Sequence, residues 1–287
     1  MALLSESDLS FVHLPDVTLG LVSAGPRDGP LTVLLHGFPE FWFGWRHQIG
    51  PLAAAGLQVV ALDQRGYNRS SKPAEVAAYH LDRLADDVLA LADSQGAERI
   101  RLVGHDWGGI VGWWLASRDP DRIDRLAVLN APHPDLLAAY ALRHPTQALR
   151  VFYFAAFQVP WLPEMGLRAA NFLALRQALR LTSRPGAFTD DDLAHYRAAW
   201  SEPGALAGML NWYRAARLKR EAARGRVRVP TLILWGRKDP ALSPNLAAEC
   251  LDLCEQGRIE WLPDATHWLH HEEPARVNAA LTTFLSG

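Results

Sequence analysis

The chain has 287 residues, 49% of them hydrophobic and 21% charged, which suits one large domain or a domain carrying an insertion. A formal net charge of −2 argues against a general nucleic-acid binder. The opening "MALLSESDLS" turns acidic and polar at once, unlike a secretory leader, and no apolar run is long enough to span a bilayer, so a cytoplasmic protein is expected.

Near the N-terminus, "FVHLPDVTLGLVSAG" reads as an antiparallel strand pair. Short apolar, β-branched runs follow at 32–35, 59–62, 100–103, 126–129 and 231–235. Most are apolar on both faces, as buried parallel strands are. Helical patterns lie between them. The stretch 79–94 sets Leu81, Leu84, Val88, Leu91 and Ala92 on one stripe, and 110–118 is another, stopped by Pro120. This alternation predicts a doubly wound, mostly parallel α/β sheet.

The alternation stops after Asn130. Between 135 and 224 there are only helical stripes, broken at Pro145, Pro160, Pro163, Pro185 and Pro203. Thr189, ahead of three aspartates, predicts a helix start. The same stretch is basic: 135–226 holds 13 Lys/Arg against 7 Asp/Glu, a local charge of +6, which leaves −8 for the rest. The expected organisation is an α/β core formed by 1–134 and 227–287, with a helical insertion at 135–226 able to roof the sheet. Its arginine-rich helices are expected to dock on an acidic surface rather than bind an anion. Strand pattern resumes at Val227. Cys250 and Cys254 are read as reduced, buried or half-buried thiols.

The stretch "LVGHDWGGIVGWW" (102–114) has the outline of a G-x-S-x-G turn with Asp106 in the serine's place. A strand before it and a helix after it put His105-Asp106-Trp107 in a strand-to-helix turn. Gly104, Gly108 and Gly109 let that turn be tight. Asp106 is then expected at the C-terminal edge of the sheet, where ligands of open α/β sheets bind. A carboxylate is ionised at neutral pH and needs no base before it attacks. It suits displacement at an electrophilic sp³ carbon, as in epoxides and alkyl halides, and leaves an ester of the enzyme's own side chain.

Hydrolysing that ester needs an activated water. "LPDATHWLHHEEP" places His267 in a loop after the last strand pattern, and "ILWGRKDP" leaves Asp239 in the loop after another. The order Asp106, Asp239, His267 is nucleophile, acid, base. His270 and His271 are nearby, and His267 and His271 are four apart as in zinc-binding helices; with no H-E-x-x-H frame, no metal is expected. The ester also needs an oxyanion hole. The backbone N–H of Trp107 is one expected donor. "VLLHGFPEFWFGW" supplies the other from Phe38, since Pro39 has no N–H.

Taken together, "HGFPEFWFGW", "DQRGYNRSSKP", "VGHDWGG", "WGRKD" and "THW" resemble the epoxide hydrolase branch of the α/β-hydrolase superfamily, from about Asp16 onward. The resemblance implies an α/β core with a helical cap and no cofactor. It implies Asp106 as nucleophile, His267 as base, Asp239 as its partner and a cis peptide at Pro39. It also implies two cap tyrosines that donate to the opening epoxide oxygen. "LNWYRAAR" points to Tyr213 and "VFYFAAFQVPWLPE" to Tyr153, with Tyr140 and Tyr196 also in the insertion. One departure is Asn68 in "RGYNRSS", where the family has glycine; asparagine tolerates a left-handed backbone.

The expected activity is hydrolysis of a small hydrophobic epoxide by water to a vicinal diol, in a monomer or homodimer. Phe38, Trp107, Tyr153 and Tyr213 are the expected substrate contacts. Phe152, Phe154, Phe157, Trp161, Phe172, Trp200, Met209 and Trp212 are candidates for an apolar pocket or for core. A haloalkane or haloacid dehalogenase with the same nucleophile is the nearest rival. Phe38 stands where haloalkane dehalogenases often have a halide-binding Asn, and the arginines of fluoroacetate dehalogenases are missing after Asp106. A silent binding protein on the same fold is the remaining alternative.

Overall fold

The structure is a computed structural model that describes residues 8–220 and 225–287. Eight strands form one sheet: β1 (Ser10–His13), β2 (Thr18–Ala24), β3 (Leu31–Leu35), β4 (Gln58–Leu62), β5 (Ile100–His105), β6 (Ile123–Leu129), β7 (Thr231–Gly236) and β8 (Gly257–Leu262). Their order is β1-β2-β4-β3-β5-β6-β7-β8. β1 and β2 pair antiparallel, β2 joins β4 antiparallel, and the remaining pairs are parallel. β3, β5 and β7 are buried along nearly their whole length, which is why they read as unbroken apolar runs.

Chain order reverses at β3, which has β4 on one side and β5 on the other. Leu35 pairs with Gly104, so the loops leaving these strands emerge side by side. That reversal opens the crevice in which a doubly wound sheet holds its ligand. The helix after β5, Trp107–Arg118, starts three residues earlier than its apolar stripe predicts. It can do so because it lies hard against the sheet. A Cβ on Gly108 would sit 2.1 Å from the Leu35 carbonyl oxygen.

Between β6 and β7 the described residues form six helices, Leu137–Arg143, Pro145–Arg150, Tyr153–Ala156, Leu162–Thr182, Asp190–Ser201 and Ala205–Ala215, and then a single parallel bridge from Val227 to Cys254. Thr189 and Asp192 form a reciprocal capping box at the start of Asp190–Ser201. Leu162–Thr182 is broken in the middle, where Ala170, Asn171 and Phe172 have φ of +48°, +57° and +58°. No proline or glycine marks that break, so sequence pattern does not foresee it.

Three buried contacts tie these helices to the loops at the C-terminal edge of the sheet. Trp212 Nε1 donates to the Arg65 carbonyl at 2.9 Å, Trp200 Nε1 to the Pro39 carbonyl at 2.6 Å, and the Tyr196 hydroxyl to Glu40 at 2.6 Å. Arg143–Glu249 and Arg184–Glu273 pairs add exposed links of the kind the charge split predicts. Asn68 is left-handed at φ +41°, and its amide donates to the buried Asp63 carboxylate at 2.7 Å. Cys250 and Cys254 are buried free thiols. Among the described residues, no helix is long and apolar enough to cross a membrane.

Candidate active site

Asp106 sits between β5 and the helix that follows, at φ +50° and ψ −120°. Few L-residues hold that backbone, and the close approach of neighbouring chain maintains it. A Cβ on Gly37 would lie 2.4 Å from Asp106 Cβ, so only glycine fits beside it. The backbone N–H of Phe38 donates to Asp106 Oδ1 at 2.9 Å. The Phe38–Pro39 peptide is cis.

His267 and Asp239 reach the same point from the loops after β8 and β7. His267 Nδ1 lies 2.8 Å from Asp239 Oδ2, and Nε2 lies 3.7 Å from Asp106 Oδ2. A carboxylate accepts only, so Nδ1 carries a proton and Nε2 faces Asp106. The Asp239 carboxylate is buried and fully used. Its Oδ1 accepts the N–H groups of Ala241 and Leu242, and its Oδ2 also accepts the Asn130 amide. Burial opposes charge on His267. The Asp239 charge and hydrogen bond, with Asp106 beyond, outweigh it and raise His267 to about 9. Burial likewise opposes ionisation of Asp239, and His267 with the other donors reverses the effect and lowers its pKa.

Asp106, His267, Phe38, Tyr153 and Tyr213 line one cavity of about 370 Å³. The Tyr153 and Tyr213 rings lie 5.9 Å apart. Burial raises both phenols well above their ordinary range, so both stay protonated at neutral pH. The other two tyrosines of the insertion face elsewhere: Tyr140 meets Ser243 at 3.2 Å and Tyr196 binds Glu40. The Trp107 ring does not line this cavity. It lines an adjoining one of about 320 Å³, standing edge-on to Tyr213 with ring centres 5.1 Å apart.

The other aromatic candidates divide by position. Phe157 lines the Asp106 cavity and Phe154 and Trp212 the adjoining one, whereas Phe172, Trp200 and Met209 are buried core and Phe152 and Trp161 are exposed.

The sequence pattern assigns no role to two residues of this neighbourhood. Asn130, at φ +41°, donates to Asp239 and accepts the Gly236 N–H at 2.8 Å. Its signal was a lone asparagine at the end of an apolar strand. Glu40 is buried and accepts from Tyr196 and from His271 Nε2 at 2.7 Å, with His270 Nε2 at 3.2 Å and His105 Nδ1 at 3.3 Å. Burial opposes its charge, but His271 and His270 hold its pKa well below the usual carboxylate range. His270 and His271 therefore serve Glu40, and His271 does not converge with His267. Glu40, His105 and His270 have ligand-type atoms within 4.8 Å of one another. The donors around Glu40 account for its charge by hydrogen bonding.

Residues 30–274 match a family model described as the alpha/beta hydrolase fold. The chain is 38% identical to human epoxide hydrolase 4, over 99% of its own length and 81% of the relative. It is 35% identical to epoxide hydrolase A of Mycobacterium tuberculosis, covering 94% of this chain and 95% of that one. The chain belongs to the α/β-hydrolase superfamily, on the branch of the epoxide hydrolases. It is also 44% identical to the AB hydrolase superfamily protein YfhM of Bacillus subtilis, over 96% of each chain. Among solved structures, the epoxide hydrolase of Bacillus megaterium in complex with an inhibitor matches at a TM-score of 0.89 and 30% identity, covering 97% of this chain and all of that one.

Proposed function

We propose that the protein hydrolyses a small hydrophobic epoxide to a vicinal diol through an ester on Asp106, with 135–226 acting as a cap over the core. The observation that carries this reading is the shared cavity. A carboxylate, a histidine held from behind by the buried Asp239, and two protonated phenols line one apolar space. The relatives named epoxide hydrolases support it.

An Asp106 oxygen attacks an epoxide carbon. The new C–O ester bond forms as the ring C–O bond breaks, and the ring oxygen takes a proton from Tyr213 or Tyr153. Esterification removes the Asp106 charge, one of the causes that raise His267. The imidazole is then easier to deprotonate at the step that needs a base. His267 takes a proton from water, whose oxygen adds to the ester carbonyl. The N–H groups of Phe38 and Trp107 hold the oxyanion. The diol oxygen leaves and is protonated, the water oxygen remains on Asp106, and the tyrosine regains its proton.

A halide departs without a proton, so two phenols facing the nucleophile favour an epoxide over a haloalkane. The test is turnover of styrene oxide by wild type and Asp106→Ala. Loss of turnover in the variant is expected, and equal rates would remove the enzymatic reading altogether. Single turnover in ¹⁸O-water is expected to label Asp106; label found only in the diol would exclude the ester. Tyr213→Phe is expected to slow ester formation, and an unchanged rate would take Tyr213 out of the mechanism.

A further inference from the structure

Among the described residues eleven large hydrophobic side chains are exposed, and nine of them lie between 142 and 181. Leu142, Leu149, Phe152, Trp161, Met165 and Leu181 are 69–88% exposed. Scattered exposed apolar residues are ordinary, but this concentration in one stretch marks a docking face. The stretch is also basic, with five arginines, no lysine or aspartate, and one glutamate, Glu164; Arg143 pairs with Glu249, Arg180 with Asp190, and Arg150 lines the Asp106 cavity, so Arg168 and Arg176 are the cations this face offers. Glu164 is paired with Arg214 at 2.8 Å. The apolar and basic residues share helix faces. Trp161, Met165 and Arg168 fall at i, i+4 and i+7; beyond the break, Leu173, Arg176, Arg180 and Leu181 fall at i, i+3, i+7 and i+8.

We propose that this face docks peripherally on an anionic lipid surface. Tryptophan, phenylalanine and leucine beside arginine are what an interfacial surface presents: apolar groups for the acyl boundary and cations for the headgroups. A second copy of this chain is the poorer occupant, because an isologous contact would set this basic face against itself. The same helices give Arg150, Leu167, Ala174, Ala178 and Thr182 to the wall of the Asp106 cavity. An apolar epoxide dissolved in lipid would thus meet the cavity from the docked side. Only this delivery clause rests on the reaction proposed above; the surface does not.

The experiment is flotation of the full chain with phosphatidylcholine vesicles, with and without phosphatidylglycerol, at low and high salt. Binding to the phosphatidylglycerol vesicles that weakens with salt is expected. Arg168→Glu with Arg176→Glu, and separately Trp161→Ser with Leu162→Ser and Met165→Ser, are each expected to cut the bound fraction by about tenfold. Both variants keep wild-type turnover of freely dissolved styrene oxide. No binding to anionic vesicles, or variants that bind like wild type, would overturn the proposal. So would a wild-type dimer that the serine variant converts to monomer without any vesicle binding. Vesicle binding in a protein without epoxide turnover would leave this surface standing and remove the reaction instead.

Discussion

Asp106 and His267 face each other at 3.7 Å, with Asp239 behind the imidazole. On the proposed mechanism His267 must be neutral for the second step, yet in the resting site it is raised to about 9. Ester hydrolysis in single turnover is therefore expected to accelerate as pH rises and to level off below that value, because the ester no longer carries the Asp106 charge that helps raise His267, while ester formation changes little; a flat hydrolysis profile would contradict the assignment. His267→Gln is expected to form one equivalent of ester and then stall, with hydrolysis slowed by roughly a hundredfold or more. Asn130 acts on Asp239 rather than on substrate. Asn130→Ala leaves a buried carboxylate oxygen and the Gly236 N–H each one partner short. A loss of about 2 kcal/mol in urea unfolding is expected, as for other buried polar groups left unpaired. An unchanged midpoint would show that water replaces the amide.

The turn works because two elements approach more closely than side chains allow. Gly108, in the helix Trp107–Arg118, lies against the end of β3, where a Cβ would fall 2.1 Å from the Leu35 carbonyl oxygen. Gly108→Ala must push the helix away from the sheet and displace Asp106 with it. Poor expression, or a markedly lower Tm with lost activity, is the expected outcome; a variant of wild-type Tm would mean that the helix can shift freely. The helix patterns that were legible in the sequence were those with amphipathic stripes or caps, such as Leu81–Ser94 and Asp190–Ser201. Trp107–Arg118 is buried all round, so its start was not visible as a stripe. The break at 169–172 carries no breaker residue and was not legible at all.

Across the molecule, four fully buried histidines are kept neutral. Burial lowers His36, His105 and His271 to about 4 and His270 to about 3. Their unfolded value is near 6.5. Below that pH the unfolded chain binds protons that the folded chain refuses, so each contributes stability that falls as pH drops from about 6.5 toward 4. Asp63, raised by burial to about 7, and Asp87, also raised by burial, act in the opposite sense, while His133, lowered by burial to about 4, and His47, also lowered, add to the four. His267, raised to about 9, adds stability that is fully present below 6.5 and is lost only as pH rises through 9. Urea midpoints should therefore fall steeply between pH 7 and pH 5, before most carboxylates titrate. A midpoint constant over that range would mean that these histidines charge without unfolding.

The sequence by itself determined the alternation of strands and helices, the interruption after Asn130, and the order in which Asp106, Asp239 and His267 follow the ends of strands. These are local or periodic properties, written in residue spacing. Only the tertiary structure decided which tyrosine shares the Asp106 cavity. Tyr140, Tyr153 and Tyr196 all sit on helical stripes, and the partners that draw Tyr140 and Tyr196 elsewhere, Ser243 and Glu40, lie more than a hundred residues away. The same reason hides Asn130 and Glu40. A polar side chain gains its meaning from what is buried beside it, and neighbours 109 or 231 residues distant in sequence leave no periodic trace.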